Sequence, residues 1–102
     1  MQQSDHTHAP AYDDASYAAD AAVERATAGE WGLVPGHLRT VVESVDDAPY
    51  PTQVQQVHHL AEDIERTLDA ADPDHGRALA QLRSLRRVVE ELQTITAAPT
   101  RA

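Results

Sequence analysis

Two histidines stand side by side in VQQVHHLAEDIERTL, residues 54–68, with Glu62, Asp63 and Glu65 following within two turns. Imidazole and carboxylate are ligands of zinc and other divalent ions, so the stretch must first be weighed as a metal site. Consecutive residues on a helix point about 100° apart, so His58 and His59 do not readily share one ion. His58 with Glu62, and His59 with Asp63, have i,i+4 spacing, and each pair supplies two ligands at most. A stable zinc site takes three or four. Across a helical hairpin, the residues expected opposite His58 are Arg86 and Gln93, and a guanidinium there opposes a cation. The spacing describes a polar helix face, and no metal or cofactor is expected.

The other chemical groups are scattered. His6, His8 and His37 lie near the N-terminus or a turn, and His75 follows Pro73 closely. There is no cysteine, which excludes disulfides and thiolate ligands. No serine sits in a strand–turn–helix elbow, and the four glycines form no phosphate-binding loop. Catalysis is therefore not expected. Arg83, Arg86 and Arg87, with Arg77 two turns earlier, form the one basic cluster. Read functionally, it is a patch for nucleic acid or an acidic partner. Read structurally, Arg86 with Glu90 and Arg87 with Glu91 make i,i+4 pairs on a mixed, solvated face. No aromatic residue interleaves with these arginines, and a net charge of −9 repels phosphate, so nucleic acid is a disfavoured partner.

These residues need elements to position them, and the spacing of apolar residues supplies the elements. Val54, Val57, Ala61, Ile64, Leu68 and Ala71 recur at steps of three and four, as do Ala78, Leu82, Leu85, Val89, Leu92 and Thr96. Thr52 and Gln55 have the pattern of a capping box, and Asp72 with Pro73 reads as the cap and first position of the last helix. Folding the chain at Pro73 sets Leu68 near Ala78, Ile64 near Leu82, Ala61 near Leu85, Val57 near Val89 and Val54 near Leu92. Small faces large in two of these layers, as a tight antiparallel seam requires.

Upstream, DDASYAADAAVERATAG reads as a helix whose stripe is Ala15, Ala18, Ala19, Ala22, Val23 and Ala26, capped by Asp13 or Asp14 and ended by Gly29 in a left-handed turn. After a linker, EWGLVPG, a short helix starts near Pro35 and carries Leu38, Val41, Val42 and Val45. Pro49 and Pro51 stop it. Trp31 and Tyr50, both beside breaks, read as core plugs. The expected organisation is a tail at 1–11, a single helical domain at 12–97 with helices at about 13–28, 36–46, 52–71 and 73–96, and a tail at 98–102.

The chain of 102 residues bounds one domain with a modest core, since 18 of its apolar residues are alanine. No apolar run reaches the ~20 residues of a membrane helix, and the N-terminus has no secretory character, so a cytoplasmic protein without membrane contact is expected. Ten Asp and seven Glu face eight Arg, with no lysine. A high-salt cytoplasm explains an acidic, lysine-free surface; Arg-for-Lys codon bias explains only the lysine.

The hairpin flanks differ. One carries Leu60, Val88 and Ile95 and is wider than two helices can cover; the other carries His58, Glu65 and Arg86 and looks wetted. The first two helices or a second copy are expected to dock on the Leu60 side. The fold class is thus all-α, three to four helices with a C-terminal antiparallel hairpin, a bundle completed by dimerisation. The expected function is protein–protein interaction, self-association included, through Leu60, Val88 and Ile95 or the Leu38, Val41, Val42 and Val45 helix. Two alternatives stand beside it. An acidic decoy would imitate nucleic acid to block a basic partner, and a regulator would touch DNA through Arg83, Arg86 and Arg87.

Overall fold

The computed structural model describes residues 12–97, with side chains described to Ile95; the expected tails at 1–11 and 98–102, with His6 and His8, lie outside the described residues. Four α-helices follow one another: α1 (Asp13–Thr27), α2 (Val34–Val45), α3 (Pro51–Asp69) and α4 (His75–Ala97), with a 3₁₀ turn at Trp31–Leu33 before α2. No strand occurs among the described residues. The fold is an all-α helical bundle.

α1 ends in a Schellman turn. Gly29 takes a positive φ of 83°, its N–H donates to the Ala26 carbonyl at 3.0 Å, and the Glu30 N–H donates to the Arg25 carbonyl at 2.7 Å. The other boundaries differ in detail from the sequence expectation. Tyr12 occupies the N-cap position of α1, with Asp13 and Asp14 in the first turn and no side-chain cap, so their carboxylates act on the helix dipole instead. α2 begins two residues earlier than expected, because Val34 is fully buried and belongs to the core rather than to a linker. α3 starts at Pro51 with Tyr50 as N-cap, so Thr52 and Gln55 both fall inside the helix and form no capping box. α4 is capped by Asp74, not Asp72: Asp74 Oδ1 accepts the Arg77 N–H at 3.0 Å, and Pro73 lies outside the helix.

The helices form a closed ring in which α1 packs on α2 and α4, and α3 packs on α4 and α2; diagonal pairs do not meet. α1 runs antiparallel to α4, since Asp13 reaches Gln93 and Asp20 reaches Arg86. The hairpin seam is buried as spaced: Val57, Ala61, Ile64, Leu82, Leu85, Val89 and Leu92 are enclosed, and Val54 and Leu68 are half-buried at its ends. The alanine stripe of α1 is enclosed too, with Ala15 and Ala22 at zero exposure. Small side chains let helix axes approach closely, so alanine seals the bundle despite contributing little area per residue. Tyr12, just ahead of that stripe, is also buried. At one pole Trp31 stacks on His75, ring centroids 4.5 Å apart and planes 11° from parallel. The stack joins the α1–α2 connection to the start of α4.

Candidate functional site

The position of α1 and α2 decides which surface is left. Both dock on the flank carrying His58, Glu65 and Arg86, opposite to the expected side. Arg86 lies 3.8 Å from Asp20 of α1, Gln93 Nε2 donates to Asp13 Oδ1 at 3.3 Å, and His58 Nε2 lies 3.4 Å from Asp46 at the end of α2. The physical reason is charge matching. The acids of α1 and of the α2 end find a guanidinium, an amide and an imidazole there, while the long side chains at the rim leave the alanine and valine stripes in contact with the seam. His58 therefore faces α2, not Arg86 or Gln93 as the sequence led one to expect. His59 points outward and is exposed.

The short helix is not a surface. Leu38, Val41 and Val45 have zero exposure and Val42 packs against the core half-buried, so the apolar face of α2 is part of the interior of this chain. The basic cluster is split: Arg86 faces α1, while Arg83 and Arg87 are exposed. Arg86 meets Asp20 and not Glu90, the partner that i,i+4 spacing suggested. Among the described residues no group of three or more His, Asp or Glu is placed to hold a metal ion, and no helix is long and apolar enough to cross a membrane.

What remains is the outer flank of α3 and α4. Leu60, Val88 and Ile95 are each half-buried there, and Leu60 and Val88 rest on the core beneath. Helical spacing sets Gln53, Gln56 and Thr67 on the same side of α3, and Gln81 and Ser84 on the same side of α4. The centre of the flank is thus poor in charge on a chain whose residues are 25% charged, and its charges lie toward the two ends. The Thr67 hydroxyl donates to Gln81 Oε1 at 3.1 Å, linking the two helices across it.

Two hollows straddle the apolar centre. Toward the Trp31 pole lies one of about 180 Å³, lined by Asp63, Arg66, Thr67, Arg77 and Gln81. Arg66 is held by Asp63 at 3.0 Å, and Arg77 makes no ion pair among the described residues. Toward the opposite pole lies one of about 430 Å³, bordered by Gln56, Val88, Thr94, the guanidinium of Arg87 and the carboxylates of Glu90 and Glu91. The sequence marked the apolar centre of this flank. The Arg66–Arg77 hollow was not marked, because its residues come from both sides of a turn and share no local spacing.

Comparison with known proteins adds no relative: no family model matches the chain, and no curated protein or solved structure matches it either.

Proposed function

We propose that this chain is a non-enzymatic, acidic helical protein acting in the cytoplasm through protein–protein contact, and that its first partner is a second copy of itself. One observation carries this. The first two helices are spent on the polar flank of the hairpin, leaving Leu60, Val88 and Ile95 along the charge-poor centre of the outer flank. Two bodies of net charge −9 repel through their acidic faces, so a flank with an uncharged centre and charges of both signs at its ends is where a like-charged copy can approach. The lysine-free, acidic surface supports a high-salt setting, in which ions screen the remaining repulsion between copies.

Gel filtration coupled to light scattering tests the proposal at tens of micromolar protein, in dilute buffer and in molar potassium chloride. The expected mass is twice the 11.1 kDa of one chain, with the dimer favoured by salt. Val88→Glu is expected to return the mass to that of one chain with helicity retained, because the bundle closes within one chain. A single-chain mass for the unaltered protein in both buffers would sink the proposal.

A second reading has its own observation. The outer side of α1 presents Asp14 and Glu24 beside Tyr17, which is 77% exposed. That face suits an acidic decoy for a basic, nucleic-acid-binding partner, and displacement of DNA from such a partner would favour it over self-association.

A further inference from the structure

Resting on the self-association just proposed, we infer that the two copies pair α4 against α4 in antiparallel fashion about a two-fold axis at Ser84, each seating its Glu91 in the partner's hollow at Arg66 and Arg77. The starting point is the sign of charge along the flank. Its end toward the Trp31 pole holds Arg66 and Arg77, offset by Asp63, and its other end holds Glu90 and Glu91, offset by Arg87, so the two ends carry net charge of opposite sign. A surface that carries opposite charges at opposite ends is complementary to itself when one copy is reversed, which is the condition for an isologous interface.

The helix geometry makes the match specific. Arg77 and Glu91 lie about four turns apart on α4, so they share one face and are separated by roughly 21 Å. Their midpoint is Ser84, an exposed residue small enough to let two α4 helices approach closely. A two-fold axis crossing there sets each Arg77 against the partner's Glu91. Val88, one turn from the axis, and Leu60 in the adjoining groove then fill the middle of the contact. Ile95, one turn beyond Glu91, falls over the partner's α3–α4 turn. Neither Arg77 nor Glu91 has an ion-pair partner within its own chain among the described residues, so both are available. A parallel arrangement would superpose like charges at each end and is disfavoured for that reason.

The chain has no cysteine, which allows a direct test. Ser84→Cys is expected to give a disulfide-linked dimer under mild oxidation, since the bond demands Cα atoms within about 7 Å. Thr40→Cys, exposed on α2, is expected not to. In parallel, dimer dissociation is measured by sedimentation for R77E, E91R and the double variant, at the lowest salt in which the unaltered protein dimerises. Each single reversal is expected to weaken the dimer about tenfold or more, since two symmetric pairs are lost, and the double to restore it. E91R is the sharper of the two, because it lowers the net negative charge and would strengthen association if net charge alone mattered. Circular dichroism confirms that these exposed changes leave the fold intact. A dimer that dissociates with Val88→Glu yet shows no Ser84→Cys crosslink, or no restoration in the double variant, overturns this geometry and leaves self-association standing. An unaltered protein that never dimerises overturns self-association itself.

Discussion

The two flanks of the α3–α4 hairpin began with opposite prospects. The flank with Leu60, Val88 and Ile95 offers more apolar area, yet the chain covers the one with His58, Glu65 and Arg86. Apolar width did not select the docking side. The covering helices bring their own charges, and on the covered flank the acids of α1 meet the guanidinium of Arg86 and the amide of Gln93. Each such contact is small, because Arg86 and Asp20 are 38% and 54% exposed and water screens them. They need only decide between two sides that the apolar stripes could both satisfy.

The contrast can be broken most forcefully at the seam common to both flanks. Val57→Asp places a charge at a position of zero exposure with no partner, and is expected to cost several kcal/mol, roughly 3 to 5, in urea unfolding. An equal loss from His59→Ala, which faces solvent, would show that the seam does not run where the structure puts it. A more modest effect is expected on the covered flank. Ala22→Leu adds volume where α1 fits closely, and overpacking of this kind costs about 1 to 3 kcal/mol. A stabilising result would mean that α1 leaves space beneath it. The smallest effect is expected from Arg86→Ala: within about 1 kcal/mol, and shrinking as salt is added. Should Arg86→Ala prove as costly as Ala22→Leu, the selection of the flank would rest on this ion pair far more than its exposure suggests.

Much of the bundle was legible in the spacing of apolar residues, because burial of a stripe is a property that a local pattern carries. The burial of Val57 and Ile64 on α3 and of Leu82 and Val89 on α4 follows from two periodicities and one break. Gly29 was legible for a different reason, since a left-handed residue at a helix end favours glycine. The choice between Asp72 and Asp74 as cap was not, because both stand next to Pro73 and both are competent acceptors. The helix begins at His75, where its ring meets Trp31, a contact between segments distant in sequence. Tyr12 was missed because it precedes the helix whose stripe it extends. For the surface, the sequence named Leu60, Val88 and Ile95 but misassigned their cover. It also offered Leu38, Val41, Val42 and Val45 as a second surface, whereas that face of α2 is turned into the core. Which of two amphipathic elements covers which flank depends on charges more than sixty positions apart, such as Asp20 and Arg86, and no local window contains both.

The stack of Trp31 on His75 has an optical consequence. It holds the chain's only indole where the connection within the N-terminal helix pair, between α1 and α2, meets the start of the last helix. Emission from an indole lying against another ring differs from that of an indole in water. The unmodified protein therefore carries its own gauge of whether its two halves are joined, separate from the far-ultraviolet signal of helix content. In rapid mixing, a helical signal that forms before the tryptophan signal would resolve two independently formed pairs that dock afterwards. Coincident signals would describe one cooperative unit.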